Sequence, residues 1–506
     1  MKSESTSATA VDALIGAALR GALTEAQAEQ LSKQEPEVVV LALLAASQRI
    51  AEQGQRIAEQ GQRIAELQGR AQATPPSPAT PSGMLPIYTK PDAAQRRKPP
   101  GARPGHPGRR RRRPARIDRR QTHRLKRCPR CGGRLQRCQR RRTRVVEDIP
   151  EDIQPVVTEH TIHRDYCPRC RKHVEPVVPD AMPGATLGHQ VIALTSWFHY
   201  GLGITIDHIV EILAGHLQTK LTPGGLIDAW RRLAEALQAW YEQIGEQARR
   251  SAHLHADETG WRVDGRTHWL WCFANDDSCY YMIDRCRGSP ALQKFFTEDF
   301  AGVLITDFWA PYESVCAEDR QYCLVHLLRE LEKVDLRNDG DAWRAFAKTL
   351  RRLLHDAIRL RKRPDFAPGK FPRRVDRLNT RLAALASESH ATHGALDGES
   401  ADKDVRRLKR RLRRYGEFIF TFLDYTNVSF ENNFAERQIR PAVILRKNSQ
   451  SNRSPRGAAT QAILMSVYRT LRLRGLNPTR TIADALKTYL ATGALPPLPP
   501  ARTADG

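Results

Sequence analysis

Two aspartates stand at the ends of apolar, strand-like runs: Asp257 follows 253–256, and Asp307 follows 302–306, 50 positions further on. Neighbouring strands of one sheet would place such carboxylates side by side. Like charges that close repel each other unless a divalent cation lies between them, and oxygen-only ligands favour Mg²⁺ or Mn²⁺. The pair therefore predicts a two-ion site for phosphodiester chemistry. The alternative is that each aspartate only forms a turn at a strand end.

A third carboxylate is expected from the segment that follows Ser429. The pattern predicts a helix that begins near Ser429 and ends at Pro441, with Glu436 one turn from polar neighbours on both sides. Glu431 competes with Glu436, although an acid in a first helical turn is ordinarily a partner of the helix dipole. Two arginines of this helix could reach phosphates beside the metal ions, or form surface salt bridges instead: Arg437 and Arg440.

Two Cys-x-x-Cys pairs lie N-terminal to these carboxylates. Each pair can form a tight turn that presents two thiolates to one ion, and two such turns complete a tetrahedral Zn²⁺ site. Strands are expected between the pairs, at 145–149 and 156–162. Because sulfur fills all four positions, the zinc would be structural; a redox dithiol pair, or substitution by a nearby cysteine or histidine, is the alternative. The predicted zinc ligands are Cys128, Cys131, Cys167 and Cys170.

The positive charge of the chain is concentrated in one segment. The 506 residues include 81 Lys and Arg against 56 Asp and Glu, a net charge of +25. Residues 95–144 hold 22 of the basic side chains and one acid, which leaves a net charge of only +4 for the remainder. This basic arm predicts binding to nucleic acid and order only on a phosphate backbone; a solvated tail is the alternative. Its centre is a run of arginines: Arg109, Arg110, Arg111, Arg112 and Arg113.

The N-terminal segment, 1–70, favours a helix, and Arg49–Leu67 repeats a seven-residue unit. Polar residues occupy half of its seam, which predicts a weak coiled coil and self-association; a solitary surface helix is the alternative. A Pro-rich linker follows at 73–91. The longest apolar run, Val38–Ala46, is too short for a bilayer span of about 20 residues, and the N-terminus lacks an apolar signal core. A cytoplasmic location is therefore expected.

Helical spacing from 187 to 238 includes a short helix, a glycine-containing turn and a second helix from Thr222, an order that resembles a helix-turn-helix. Ordinary helix packing would give the same pattern. From 253 onward, three antiparallel strands and then alternating strand and helix are compatible with a ribonuclease-H-like α/β fold. Before Glu436, three apolar stripes predict a helical insertion whose last helix is basic over 406–414, either for DNA contact or as a solvated face.

Several motifs together resemble the insertion-sequence-66 family of DDE transposases. They are His255-Ala-Asp257-Glu-Thr-Gly-Trp, Ile305-Thr-Asp307, Cys323-Leu-Val-His326 and Asn432-Asn-Phe-Ala-Glu436-Arg-Gln-Ile-Arg-Pro. The resemblance covers most of the chain, through about residue 475.

That resemblance implies that Asp257, Asp307 and Glu436 form the catalytic triad, and it selects Glu436 over Glu431. His326 falls within the family pattern, where packing under the site and contact with the scissile phosphate are equally expected. The resemblance also implies DNA contacts from two basic residues after the last motif, Arg446 and Lys447.

The predicted architecture is an α/β multidomain chain whose ribonuclease-H-like catalytic core is interrupted by an all-helical insertion. In order, the domains are a coiled-coil segment (1–70), a disordered linker and basic arm (71–127), a zinc-binding module (128–180), a helix-turn-helix-like DNA-binding region (186–250), the first part of the core (251–333), the insertion (334–425), the second part of the core (426–457), and C-terminal helices with a tail (458–506).

The expected function is a DNA transposase that binds the ends of an insertion sequence, then cuts and transfers DNA strands. Its expected cofactors are two Mg²⁺ or Mn²⁺ ions and a structural Zn²⁺. Its expected partners are DNA at the nucleoid, a second copy bound through the N-terminal helix, and element-encoded helper proteins, with no membrane. Two alternatives stay open: a non-catalytic, zinc-dependent DNA-binding regulator, and a ribonuclease-H-like nuclease without strand transfer.

Overall fold

The computed structural model describes residues 114–136, 143–150, 153–387 and 402–502, together with 14, 16–17, 24–40, 42–44, 47–48, 51, 54–55 and 58–60. The arginines Arg109–Arg113 and most of the heptad seam lie outside the described residues. The chain divides into two compact units, Met1–Leu85 and Pro86–Gly506, which are described separately.

In the first unit, helix α1 spans Glu25–Ser32. Its start is fixed by a reciprocal pair of hydrogen bonds: the backbone N–H of Thr24 donates to the side chain of Gln27 (3.0 Å), and the backbone N–H of Gln27 donates to the hydroxyl of Thr24 (3.4 Å). Leu31 and Ala42 are buried together. Helix α1 lies within the segment for which a helix is predicted, and self-association through this unit stays a prediction.

The region of the cysteine pairs contains a short antiparallel hairpin, formed by β1 (Asp165–Cys167) and β2 (Lys172–Val174). The strands predicted at 145–149 and 156–162 are not present in the described residues, which form neither helix nor strand there. Val156 and Val157 are 94% and 89% exposed. The prediction is wrong because β-branched residues favour a strand only when a neighbouring strand and a packed face are available.

Among the described residues of the second unit, four α-helices precede the large sheet: α2 (His189–Ser196), α3 (Ile206–His216), α4 (Pro223–Ala236) and α5 (Gln238–Arg249). A π-helical turn, Trp197–Gly201, extends α2. The hydroxyl of Thr222 accepts the backbone N–H of Gly225 (3.2 Å), so α4 begins where the sequence predicts. Trp230 is fully buried on the inner side of α4.

A five-stranded mixed sheet occupies the centre of the second unit. The strands are β3 (His253–Val263), β4 (Arg266–Ala274), β5 (Cys279–Asp284), β6 (Phe300–Thr306) and β7 (Ala317–Tyr322), and helix α6 (Ser289–Phe295) precedes β6. Their order is β5-β4-β3-β6-β7: β3, β4 and β5 are antiparallel, whereas β6 and β7 run parallel to β3. Asp264 and Gly265, both with positive φ, form the turn between β3 and β4.

Seven α-helices follow the sheet in the stretches 324–387 and 402–502: α7 (Leu324–Asp335), α8 (Asp341–Arg361), α9 (Pro372–Ser387), α10 (Lys403–Tyr415), α11 (Asn433–Ser449), α12 (Pro455–Leu473) and α13 (Pro478–Thr492). The predicted helical insertion corresponds to α8–α10. Within the described part of the chain, no helix has both the length and the apolar character that crossing a bilayer requires.

The basic face of α10 is largely bonded inside the protein. Arg407 and Arg411 both contact the carboxylate of Glu330 on α7. The guanidinium of Arg414 donates to Glu313 at 2.6 Å. These contacts attach the insertion to the rest of the second unit, so only part of the basic stretch over 406–414 remains for a DNA contact.

Two predicted boundaries differ in the structure. Pro441 lies inside α11 and does not end it, because Ala442 and Leu445 beyond it are buried and their packing keeps the helix going. The Pro-rich C-terminus is packed, since Leu498 is only 6% exposed and the indole N–H of Trp240 donates to the carbonyl of Pro496 (2.6 Å).

The two faces of the sheet are covered by different helices. Trp271 and Phe273 of β4 point to the face covered by α6. Leu270 and Cys272 point to the opposite face, where α11 and α12 pack. On β6, Ile305 shares this second face and packs with the helical insertion. Helix α11 therefore lies on the face to which the odd-numbered residues of β3 and β6 point.

Candidate functional site

The pairing of β3 with β6 brings Asp257 and Asp307 together. The parallel register joins His253 to Val303 and His255 to Ile305, a constant offset of 50 residues. The same offset, continued two residues past the end of this ladder, puts Asp257 and Asp307 on the face where α11 lies, and the charge of Asp307 is among the causes that raise the pKa of Asp257. Asp307 directly follows β6, as expected.

Asp257 is not at a strand end, contrary to the prediction. It pairs with Cys272 in the middle of β3, because β3 continues as one arm of the hairpin with β4 beyond the point where its pairing with β6 stops. The aspartate therefore lies at the end of the β3–β6 ladder while β4 supports its other side.

The three predicted carboxylates influence one another electrostatically. Burial, followed by the nearby carboxylates of Glu258, Asp307 and Glu436, raises the pKa of Asp257 well above its usual range. Burial also raises the pKa of Asp307, and the nearby carboxylate of Glu436 raises it further. Concentrated negative charge of this kind is relieved by a divalent cation, and the all-oxygen donor set fits Mg²⁺ or Mn²⁺.

Glu436 lies in the first turn of α11 and contacts two residues of α7. Its Oε1 is 3.3 Å from Nη1 of Arg329 and 3.6 Å from Nε2 of His326. Among the residues that the structure describes, no three acid, histidine or cysteine side chains are arranged as a metal-binding group. The structure thus brings the three carboxylates near one another, and Oε1 of Glu436 contacts α7. Glu431 precedes the helix.

His326 lies partly exposed beside Glu436. Burial lowers its pKa more than the neighbouring Glu436 raises it. Within the described part of the chain, its Nδ1 has no hydrogen-bond partner. The ring therefore contacts the carboxylate through Nε2, and both roles considered for it from the sequence stay open.

A buried ion pair on the opposite face of β3 supports Asp307, and sequence reasoning missed it. Nε and Nη2 of Arg287 donate to Glu258 at 3.1 and 2.9 Å, and the hydroxyl of Tyr312 donates to the other carboxylate oxygen at 2.6 Å. The guanidinium of Arg287 lies 3.9 Å from the ring centroid of Trp309. The backbone N–H of Trp309 in turn donates to Asp307 (2.9 Å). No local sequence pattern signals this network.

The predicted DNA contacts on α11 divide into two groups. Arg437, Arg440 and Lys447 are exposed. Arg446 is partly buried and donates from Nη1 to the hydroxyl of Thr259 (3.2 Å) and to a backbone carbonyl of β3. Three of the four are therefore available at the surface, whereas Arg446 ties α11 to β3.

Each Cys-x-x-Cys pair forms a tight turn, as predicted. In the first, the backbone N–H of Gly132 donates to the carbonyl of Cys128 at 2.9 Å. Backbone N–H groups of residues 130 and 131 lower the pKa of the Cys128 thiol. In the second turn, the backbone N–H of Cys170 lowers the pKa of the Cys167 thiol. Lower thiol pKa values favour the thiolates that bind zinc. The described residues do not bring three of the four sulfurs together.

Comparisons with known proteins agree with this organisation. Residues 184–460 match the Transposase IS66 family, and residues 126–171 match the zinc-finger binding domain of transposase IS66. The second match encloses all four cysteines of the two turns.

Three proteins of Sinorhizobium fredii (strain NBRC 101917 / NGR234) are similar to the chain. Uncharacterized protein y4qI is 26% identical over 286 residues, which cover 51% of each chain. Uncharacterized proteins y4hP and y4jD are 24% and 22% identical and cover 71% and 72% of this chain and 70% and 75% of their own. The chain thus spans about half the length of the first relative. Since the family match extends over more than half of its residues, the chain belongs to the IS66 family of transposases.

Proposed function

We propose that the chain binds the ends of an insertion sequence, cuts DNA strands with the help of divalent metal ions, and joins the freed ends to target DNA. The observation that carries the proposal is the 50-residue offset of the β3–β6 register, because it supports a position of Asp257 near Asp307, as the mutual influence of their charges also does. Glu436 completes the set from α11. Family membership supports the transposase class, and the carboxylate cluster supports the chemistry.

The proposed catalytic core is ribonuclease-H-like and is interrupted by the helical insertion. Three antiparallel strands followed by two strands parallel to the first, in the order β5-β4-β3-β6-β7, support this assignment. The predicted divisions at 251–333, 334–425 and 426–457 fit the element order, with α11 returning to the sheet after α10. The other domains are proposed with the limits that the sequence predicts.

Asp257, Asp307 and Glu436 would hold two Mg²⁺ or Mn²⁺ ions. When bound, such ions lower the pKa of an attacking oxygen and stabilise the leaving oxygen of a phosphodiester. The contribution of the chain is to hold three mutually repelling carboxylates close together on a rigid sheet and helix. The exposed cations of α11, Arg437, Arg440 and Lys447, would contact phosphates of the bound DNA.

The remaining proposed parts bring DNA to this site. Zn²⁺ bound by the two cysteine turns would stabilise a DNA-binding module, helped by the arginines Arg109–Arg113 and by α3 and α4. Pairing of N-terminal helices would hold two element ends together in the cytoplasm, with element-encoded helper proteins as further partners. These assignments depend on the family and on the concentration of positive charge.

The test of catalysis is the variant Asp257→Asn, with Asp264→Asn as its matched control. Asp264 lies at the turn at the far end of β3, and asparagine tolerates its positive φ. Both variants are incubated with end-bearing DNA, Mg²⁺ and a target plasmid. Asp257→Asn should lose strand cleavage entirely and keep end binding, whereas the control should cut and join normally.

The outcomes separate the proposed function from its alternatives. Cleavage by Asp257→Asn at the normal rate would show that the triad is misassigned. Metal-dependent cutting by the natural sequence without joined product would indicate a nuclease. End binding that survives truncation after residue 250, with no response of the full chain to Mg²⁺, would indicate a regulator.

A further inference from the structure

The helix that carries Glu436 begins at a buried asparagine. Asn432 is 1% exposed and directly precedes α11. Its carbonyl accepts the backbone N–H of Glu436 (3.3 Å), so the two residues are joined by one helical turn. Because a buried side-chain amide is normally hydrogen-bonded, its partners show which elements this turn is attached to.

The partners of Asn432 lie on the strand that carries Asp257. Its side-chain Nδ2 donates to the carbonyl of Ala256 (2.8 Å), the residue immediately before Asp257. Its Oδ1 is 2.9 Å from Nδ1 of His255. Since Nδ2 is the amide donor and already serves a carbonyl, Oδ1 must accept, and the His255 ring must donate. One amide therefore makes two oriented bonds to β3.

A third bond connects the same residue to the end of β7. The backbone N–H of Asn432 donates to the sulfur of Cys323 at 3.1 Å, and the N–H of Leu324 donates to the carbonyl of Phe430 at 2.9 Å. The chain thus returns from the helical insertion to the point at which it left the sheet, and Asn432 lies at this junction.

Apolar packing alone would leave the position of Glu436 loosely determined. Ala435, Ile439 and Ala442 bury one side of α11 against the sheet, but hydrophobic contact has no preferred direction and permits a small slide along the helix axis. Hydrogen bonds restrict distance and angle. Arg446 bonds α11 to β3 near the far end of the helix, and Asn432 does so next to Glu436, where the packing leaves the position undetermined.

We propose that Asn432 is a positioning residue, which fixes Glu436 relative to Asp257 so that both carboxylates can bind one metal ion. This inference rests on the proposed function. Asn432 touches neither metal nor DNA in this account. It acts by holding the first turn of α11 to β3.

The test maps the metal site with Fe²⁺ alone as the probe. Fe²⁺ at an Mg²⁺ site produces hydroxyl radicals with ascorbate and peroxide, and these cut the backbone next to the ligands. The natural sequence should be cut near Asp257, Asp307 and Glu436. In Asn432→Ala, cuts near Glu436 should fall about tenfold relative to those near Asp257, the change that a free-energy loss of about 1.4 kcal/mol produces.

Gln438→Ala is the matched control. Gln438 lies on the same helix, is 4% exposed, and accepts a hydrogen bond from Arg469 of α12 (3.1 Å), not from β3. This variant should lose comparable stability in a urea titration but keep the cutting ratio of the natural sequence. A purely structural role of Asn432 predicts the same ratio in both variants.

The outcomes distinguish this inference from the proposed function. An unchanged ratio in folded Asn432→Ala would overturn the inference. Absence of cuts at all three carboxylates in the natural sequence would instead count against the metal site itself. Should Asn432→Ala fail to fold, His255→Gln decides, because it removes the imidazole N–H that donates to Oδ1 and keeps a side chain of similar size beside Phe434. A ratio lowered about threefold supports the inference, and an unchanged one contradicts it.

Discussion

Two neighbouring carboxylates on β3 have opposite surroundings. Asp257 faces α11 and other acids, whereas Glu258 points to the other face, because successive side chains of a strand alternate. Glu258 is bonded by Arg287 and Tyr312, so its charge is compensated inside the protein. These surroundings favour Asp257 over Glu258 as a metal ligand, a choice that composition alone does not make.

Arg287→Met should destabilise the second unit by about 3 kcal/mol, because it leaves the buried carboxylate of Glu258 without its cation. The free energy of unfolding from urea titration measures this loss. Arg285→Met, a change at an exposed neighbour, is the control and should cost little.

The double variant Arg287→Met with Glu258→Gln tests whether the unpaired carboxylate of Glu258 causes this loss of stability. Neutralising the carboxylate removes the unpaired charge, so most of the lost stability should return. A double variant that is less stable than Arg287→Met would show that the ion pair is not the source of the effect.

The partners of these residues explain which part of the site could be predicted. Asp257, Asp307 and Glu436 were identified from strand-like runs and a family motif. Arg287 was not identified, and Asn432 was named only as a polar neighbour of Glu436, because its partners lie 176 and 177 residues away in the sequence and approach it only after the sheet has formed. Local patterns contain no information about such pairs.

At the scale of elements, apolar periodicity located most helices and the central strands of the second unit, but not α6 or the hairpin of β1 and β2. It failed where tertiary contacts override local preference. Pro441 remains helical because residues beyond it are buried, and Asp257 lies within a strand because β4 extends the pairing. The apolar residues at 156–162 lack a pairing strand in the described chain and form none.

The helical insertion depends on a buried carboxylate at the start of α10. Asp404 has a side chain only 4% exposed and bonds to Arg337 at 2.6 Å and to Asn338 at 3.1 Å. Burial alone would raise the pKa of Asp404, but these hydrogen bonds outweigh it and hold the pKa below its ordinary value of 3.8. The stabilisation is therefore present above pH 3.8 and is lost as the pH falls through the lowered pKa.

Asp404→Asn should accordingly reduce the free energy of unfolding by about 2 kcal/mol at neutral pH, and the difference from the natural sequence should shrink below pH 3.8. Urea titrations at a series of pH values provide the measurement. Asp339→Asn, at an exposed aspartate nearby, should show no such dependence. A difference that grows in acid would contradict the assignment.

At the scale of the whole molecule, the zinc module and the sheet are separate in sequence and in chemistry. The cysteine turns were predictable because each is local, four residues long and stabilised by its own backbone N–H groups. Convergence of the two turns is a long-range property, which spacing does not determine. The packed C-terminus escaped prediction for the same reason, since its partners lie on α5.

We expect one zinc ion per chain, lost in Cys128→Ser and in Cys170→Ser. Affinity for end-bearing DNA should fall at least about tenfold in both, because the binding free energy of a structural zinc is folding free energy. Mass spectrometry for metal content and gel-shift titration provide the two measurements. Cys316→Ser, at an exposed cysteine elsewhere, should retain zinc and affinity. Full zinc content in both turn variants would reject the assignment.

The hydrogen bond between Leu324 and Phe430 closes a large excursion of the chain at its own starting point. Within this excursion, α8–α10 form a side branch beyond α7, and the length of that branch does not enter the separation of the three acids, which lie on β3, after β6 and on α11. Evolution can therefore enlarge, trim or exchange α8–α10 while the geometry at the sheet is inherited intact. The same property makes this junction a practical place to graft a foreign folded unit onto the protein.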